Sequence, residues 1–363
     1  MEFLTQLGYN EERMKQANAI DEKLLKARIT VQHKGMYRAL TEDDEYLVQL
    51  SGKDKFSSHD LIEIPAVGDF VLVKPFPNEH KGIIQHILPR TQQFIRNAAG
   101  NQTKPQIIAT NIDYAFLTMS CNDNFNTNRL ERYLIATYDS GATPIIIMTK
   151  ADLITELEKE IMIAELSNVA PAVPVYFVQH DSDNHIETIK AYIKAHKTGT
   201  LLGSSGVGKS TLINRLLGKE VMDTGEIRLT DDKGKHTTTH RELIVLDDGG
   251  ILIDTPGMRE FQLWSTGENI GLVTEFEDIE SLIVQCKFND CTHTNEPGCA
   301  VNAAITSGEL TEERFERYNK YLRELAFVER RNDEAKMSAE RNKWKKMTQQ
   351  GKANRNAKMG KRK

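Results

Sequence analysis

The sequence predicts a multidomain α/β protein with three parts: a small N-terminal OB-type β-barrel, a parallel sheet with helices on both faces, and a C-terminal helical domain around a Cys/His cluster. Three observations predict it. Residues 26–97 carry about five short β-rich stretches (ARITVQH, MYRALT, EYLVQL, DFVLVKPF and GIIQHILPRTQQFIR) separated by Gly, Asp, Asn and Pro, the spacing of a small barrel. Residues 98–262 alternate apolar strand-like runs with amphipathic helical ones, the rhythm of a sheet covered on both faces. Beyond Phe261 the pattern turns helical and is interrupted by three cysteines and a histidine. The expected divisions are an N-terminal segment 1–25, the barrel 26–97, the sheet domain 98–262, the helical metal-binding domain 263–330 and a tail 331–363.

Taken in order, residues 1–25 read as amphipathic or frayed. A barrel of the kind expected at 26–97 often binds nucleic acid, and a purely structural role fits the same residues. Residues 98–112 read as a polar connector. DYAFLTMS, PIIIMTK, VPVYFV, GTLL and GGILID then read as strands, with helices at RLERYLIATYDSG, LITELEKEIMIAEL, ETIKAYIKAHK and after GSSGVGKS. Ligands of such folds sit at the carboxyl ends of the strands. The helix ELTEERFERYNKYLRELAFVERR leads into the tail.

Composition narrows the function classes. The chain has 363 residues and no run of the ~18–20 apolar residues that a membrane span needs. Its start lacks the basic-then-apolar pattern of a secretory signal, so the expected location is the cytoplasm. The net charge of −5 is unevenly distributed: residues 341–363 hold ten Lys or Arg and no acid, leaving 37 basic against 52 acidic residues elsewhere. A basic tail on an acidic body suits a polyanionic partner, and equally a solubilising tail.

Gly203, Ser204, Ser205, Gly206, Val207, Gly208, Lys209 and Ser210 match GxxxxGK[ST] at every fixed position. The match lies between an apolar run and a helix that opens at Thr211, the context the motif requires. Its amides and the helix N-terminus suit phosphate, Lys209 the β- and γ-phosphates, and the Ser210 hydroxyl Mg²⁺. Asp254 ends the run Ile251–Ile253 and begins DTPG, where an Asp can hold Mg²⁺ and the Gly257 N–H can meet the γ-phosphate.

Thr149, Lys150, Ala151 and Asp152 follow the strand Pro144–Met148 and read as a guanine-selecting [NT]KxD element. Its carboxylate accepts from guanine N1–H and N2–H₂, which adenine lacks, and leaving it unpaired is costly. Lys150 can lie along the purine face. This element disfavours an ATP-driven P-loop enzyme. It also stands ahead of the P-loop rather than after it, so the motif order is circularly permuted. Permutation keeps the sheet when the joined termini lie close.

Cys286, Cys291, His293 and Cys299 offer three thiolates and one imidazole within fourteen residues. Such a closed tetrahedral set predicts one structural Zn²⁺ and leaves no position for catalysis. The remaining cysteine, Cys121, reads as an ordinary core or loop residue.

Together the barrel, TKAD, GSSGVGKS, KHTTTH, DTPGMREF and the Cys/His cluster resemble the circularly permuted, ribosome small-subunit-dependent GTPase A family of bacteria, over nearly the whole chain. The resemblance implies GTP hydrolysis to GDP, stimulated by the small ribosomal subunit (30S), in late maturation of that subunit. It implies an OB barrel, a permuted G domain and a zinc domain, with rRNA as partner, and the chain is expected to act as a monomer. It also carries a catalytic role onto His236, while Thr238 or Thr239 in the same segment is expected to close onto Mg²⁺. Met258 stands where many GTPases place a water-orienting Gln, and a thioether cannot do that work. Val178-Gln-His180 replaces the usual Ser-Ala element for guanine O6, so no residue is assigned that contact. A different class of reading, a GTP-gated rRNA-binding module in which hydrolysis only resets the grip, fits the same motifs. Stimulated turnover distinguishes the two.

Overall fold

The computed structural model describes residues 2–33, 35–51, 64–98, 104–122, 124–179, 182, 185–194, 196–220, 241–255, 261–265, 267–334 and 338. They form two compact units, one from residues 1–96, 105–262 and 270–277, the other from 97–104, 263–269 and 278–363.

The first unit opens on helices α1 (Glu2–Gln6) and α2 (Glu11–Asp21). Asn10 caps α2 by accepting from the Arg13 N–H at 2.9 Å. The segment is not frayed: Leu4, Leu7, Tyr9 and Ala17 are buried against Phe70, Leu72 and Leu88. The Tyr9 hydroxyl donates to the Ala27 carbonyl at 3.1 Å. Packing against the barrel, rather than its own hydrophobic pattern, makes this segment part of the core.

Strands β1 (Leu25–His33), β2 (Met36–Leu40), β3 (Glu45–Leu50), β4 (Phe70–Pro75) and β5 (Lys81–Ile87) form the barrel. β1–β2–β3 and β5–β4 pair antiparallel, β3–β5 pair parallel, and β4 closes onto β1. Register shifts at Ile29/Val31 and Leu72/Val73 mark the bends that closure needs. Ala27, Ile29, Val48, Val71, Val73 and Ile84 fill the interior. Asp69, fully buried, receives a two-armed ion pair from Arg90 at 2.6 and 2.8 Å and the Ala66 N–H at 2.8 Å.

Residues 105–110 of the polar connector expected at 98–112 form a strand. β6 (Gln93–Asn97) pairs with β7 (Pro105–Thr110), whose Ile107, Ile108 and Ala109 are buried. Those three apolar residues outweigh the polar flanks.

The nucleotide-motif region runs β8 (Tyr114–Ser120), α3 (Thr127–Ser140), β9 (Thr143–Thr149), α4 (Glu156–Val169), β10 (Val175–Phe177), α5 (Ile186–Tyr192), β11 (Thr198–Leu202), α6 (Lys209–Leu217), β12 (Glu242–Val245) and β13 (Ile251–Asp254). The sheet order is β10-β9-β8-β11-β13-β12, parallel except for β12. Strand β12 also meets barrel strand β1 at Glu242 and Val31. Ile186, Ile189, Leu212, Ile213 and Leu216 of α5 and α6 pack on Phe116, Ile145, Ile147 and Leu201 of the sheet. On α3, Leu130, Tyr133 and Leu134 are buried, and the Asp139 carboxylate accepts from the Gly271 N–H of α7 (Ile270–Glu275) at 2.6 Å. Among the described residues no helix is long and apolar enough to cross a membrane.

The second unit contains most of α8 (Glu277–Ile283), then α9 (Ala300–Ser307) and α10 (312–334). Arg314 grips Asp278 through two bonds of 2.7 and 3.0 Å, and the Tyr318 hydroxyl donates to Glu280 at 2.7 Å.

Arg28 of β1 is 1% exposed. Its guanidinium donates to the carbonyls of Gly68 (3.2 Å), Leu7 (2.8 Å) and Asn111 (3.2 Å) and to the Thr198 hydroxyl (3.0 Å). It lies over the Phe70 ring at 4.6 Å, with Arg13 over the same ring at 4.3 Å. Burial pushes the Arg28 pKa down to about 9, with Arg13 adding repulsion, yet the group stays charged at neutral pH. Arg28→Met is expected to lower stability by at least about 3 kcal/mol, because it strips donors from several buried acceptors at once. Urea unfolding of the full chain measures it; a loss below about 1 kcal/mol would show the contacts to be dispensable.

Candidate nucleotide site and metal cluster

Parallel pairing brings four strand ends to one edge. Ser120 of β8 is level with Thr149 of β9, Leu117 with Leu202 of β11, and Thr200 with Ile253 of β13. The loop after β8, Thr149–Asp152, Gly203–Gly208 and Asp254 therefore share the carboxyl edge of the sheet, where open α/β sheets bind ligands.

At Gly203 a Cβ would stand 2.5 Å from the Thr118 carbonyl oxygen, so only glycine lets the chain leave β11 this close to β8. Gly208, at φ +94, turns the loop into α6. Val207 and Ser204 are buried, Ser210 and Thr211 half-buried, and Ser205 and Gly206 exposed. Lys209 is 8% exposed and folds back over its own loop, donating to the carbonyls of Gly203 (2.9 Å) and Ser204 (2.8 Å). Burial lowers its pKa to about 8, against the pull of the Asp254 carboxylate. Asp254 itself is 2% exposed.

The guanine-type element is tied to this loop. The Thr149 hydroxyl lies 2.5 Å from the Val207 carbonyl oxygen and 3.0 Å from that of Met119. Lys150, at φ 55, donates through Nζ to the Gly206 carbonyl at 3.0 Å. Buried Ala151 donates its N–H to the Val178 carbonyl at 3.1 Å, and the Asp152 side of the turn faces solvent. Arg215 of α6 donates to the carbonyls of Gln179 (2.5 Å) and Ser182, so the loop after β10 is held beside the same turn. His180 lies outside the described residues, as do Gly257, Met258, His236, Thr238 and Thr239.

Three further side chains, those of Arg129, Thr255 and Arg215, brace the loops of the site. Arg129 of α3 donates to the Asn124 side chain at 2.5 Å and to the Ser204 hydroxyl at 3.2 Å. The Thr255 hydroxyl donates to the Leu201 carbonyl. For Asn124 and Arg129 the available signal was position: a polar loop at the carboxyl end of a parallel strand. Cys121 is buried there, its N–H donating to the Thr149 carbonyl at 2.8 Å, and burial pushes its thiol up to about 12.

In the second unit Cys286, Cys291, His293 and Cys299 bring one ligand atom each to within 4.8 Å of one another. The Cys286 and Cys299 sulfurs lie 3.6 and 3.5 Å from His293 Nδ1 and 4.0 Å from each other. A tetrahedral Zn²⁺ with bonds of about 2.1–2.3 Å has ligand–ligand edges of about 3.4–3.8 Å, which the two sulfur–His293 distances match and onto which the wider separations would close by up to about 1 Å. His293 takes a positive φ of 60°, and its ring meets Phe315 edge-on at 6.0 Å.

A sequence model described as RsgA GTPase matches residues 87–264. A second, for ABC transporters, matches residues 186–344, a span that takes in the P-loop but not Thr149–Asp152. The small ribosomal subunit biogenesis GTPase RsgA 1 of Listeria innocua is 47% identical over 88% of this chain and 88% of that protein. The protein of the same name from Oceanobacillus iheyensis is 41% identical over 91% and 93%. The chain belongs to the RsgA GTPase family. Solved relatives agree: YjeQ of Thermotoga maritima (25% identity, TM-score 0.58, 83% of this chain and 98% of that one) and the circularly permuted GTPase YloQ (26%, 0.56, 84% and 96%).

As an RsgA GTPase the chain is a GTP hydrolase with a circularly permuted fold, and membership implies a guanine nucleotide and Mg²⁺. The residues present fit them. A solvent-facing carboxylate at Asp152 suits a base edge, a buried amine at Lys209 suits phosphate, and the oxygens of Ser210 and Asp254 suit a hard cation. In the nucleotide-free protein the Lys209 ammonium is expected to titrate near pH 8, followed by NMR of labelled lysine. The sign is definite. The unfolded chain holds this proton up to its ordinary pKa, so this group's contribution to stability rises as pH climbs from about 8 toward 10.5. Titration above pH 10 would contradict the burial.

Proposed function

We propose that the chain hydrolyses GTP during late maturation of the small ribosomal subunit and that engagement with that subunit and its rRNA stimulates turnover. The observation that carries this is the joining of the guanine-type element to the phosphate loop through Thr149 and Lys150, in a chain 47% identical to a GTPase named for small-subunit biogenesis. The protein works as a monomer in the cytoplasm.

Asp152 accepts from guanine N1–H and N2–H₂, Lys150 lies along the purine, Thr149 holds that turn on the phosphate loop, and Ala151 ties it to Val178. Gly203, Ser204, Ser205, Gly206, Val207 and Gly208 present amides to the phosphates at the start of α6, where Thr211 lies. Lys209 leaves its loop carbonyls for the β- and γ-phosphate oxygens and offsets charge as the phosphoryl group transfers. Ser210 and Asp254, with Thr238 or Thr239, would hold Mg²⁺, whose charge neutralises the phosphates. The Gly257 N–H meets the γ-phosphate, and His236 orients the water for in-line attack. Cys286, Cys291, His293 and Cys299 hold one Zn²⁺ that stabilises the second unit. The barrel, the zinc-bearing unit and the basic tail contact rRNA.

GTP turnover by the purified protein, alone and with small or large subunits, tests the reading. Small subunits alone are expected to accelerate it; GTP binding without acceleration would leave the GTP-gated binding module in its place. His236→Ala is expected to keep GTP affinity within about threefold yet lose about 10²-fold of stimulated turnover. Retained stimulation would remove His236 from the mechanism. A zinc chelator is expected to open residues 278–334 to protease while GTP affinity persists; unchanged protection would reject the structural zinc.

A further inference from the structure

Helix α4 begins four residues after Asp152 and carries an apolar stripe on its outer face. Leu157 is 67% exposed and Ile161 52%, and Ala164 is exposed beside them. At about 100° per residue these three fall within about 60° of arc. The opposite face, Leu166 and Val169, is buried. Leu153, 61% exposed in the short turn of Ala151–Leu153, lies just ahead of the stripe in the chain. The spacing puts Leu157 and Ile161 side by side on adjacent turns, an arrangement that receives an amphipathic helix or strand.

The rim of the stripe is acidic. Among its charged residues α4 has Glu156, Glu158, Glu160 and Glu165 against the single base Lys159. Lys159 is already engaged, 3.6 Å from Glu156 and 5.5 Å from the centre of the Phe177 ring. Glu158 is committed to the cap at Thr155, with bonds of 2.7 and 2.9 Å. Glu160 and Glu165 remain, both exposed, one on each side of the stripe, with no ion pair among the described residues. An acidic border with an apolar centre repels a phosphate backbone and attracts a basic protein surface bearing apolar side chains.

We propose that the Leu157–Ile161–Ala164 stripe, rimmed by Glu160 and Glu165, docks a basic amphipathic segment of a protein of the small ribosomal subunit. This rests on the small-subunit function proposed for the chain. It assigns α4 a protein partner on a particle where the barrel and tail meet RNA.

The test places a photoreactive p-benzoylphenylalanine at position 157 of the full chain. The chain is loaded with a non-hydrolysable GTP analogue, mixed with purified small subunits and irradiated. The expected result is a cross-link to one basic subunit protein, with yield cut at least fivefold by Glu160→Lys/Glu165→Lys. Cosedimentation is measured in the same samples. If the chain cosediments but cross-links only to rRNA, to a second copy of itself or to nothing, the docking proposal is wrong and the small-subunit function stands. If the chain does not cosediment, both fall. Insensitivity of the cross-link to the two charge reversals would also overturn the proposal, since it removes the complementarity. GTP affinity of the free Glu160→Lys/Glu165→Lys protein, expected within about twofold of the parent, guards against misfolding as the cause of a lost cross-link.

Discussion

A buried guanidinium is the constraint around which the first unit is organised. Removing Arg28 from water is tolerable only because its donors find acceptors and its face finds an aromatic ring. Those acceptors come from four places in the chain: the turn after α1, the approach to β4, the residue after β7, and the first residue of β11. Thr198 is further fixed by its N–H to Asp113 at 2.9 Å, and Asp113 also binds Lys197 at 2.7 Å. One side chain of the barrel thus sets where β11 begins, and β11 delivers the phosphate loop. A displaced barrel would leave a charge without partners, so barrel and phosphate strand are held in a single arrangement.

At the other end of β11 the permuted chain order matters little to the geometry. The guanine-type turn precedes the phosphate loop in sequence but lies beside it in the sheet, with β8 between their strands. Thr149 and Lys150 contact carbonyls of Val207 and Gly206, which ties the two loops through backbone. An error in the position of one is transmitted to the other. Permutation does change the destination of the chain after β13: it passes Asp254 and enters the second unit at residue 263.

Much of this is legible in the sequence because the motifs are local strings. The phosphate loop, the guanine-type turn, DTPG and the Cys₃His set each lie within a short stretch, and their chemistry depends on spacing that the sequence displays. The strands and helices around them are legible for the same reason. Features that depend on distant partners are not. Nothing near Arg28 in the sequence distinguishes it from a surface arginine, since its acceptors lie 21 to 170 residues away. The N-terminal helices likewise look frayed until Phe70 and Leu72 cover Leu7 and Tyr9. β7 is hidden because Pro105 and the polar residues before it obscure the short apolar run that comes after them. Asn124 and Arg129 belong to no motif; only the topology brings them to Ser204.

The meeting of β12 with β1 bears on how the protein could be taken apart. A sheet ending in β12 would present a row of unsatisfied amides and carbonyls to solvent, a template for pairing with another chain. Here Glu242 pairs with Val31, and Val245 packs against the cluster of Phe70, Leu72 and Leu88. The barrel therefore shields an aggregation-prone border in addition to any contact it makes elsewhere. A fragment cut at residue 98 would bare that border together with the acceptors that Arg28 serves, and would self-associate rather than persist as a soluble hydrolase.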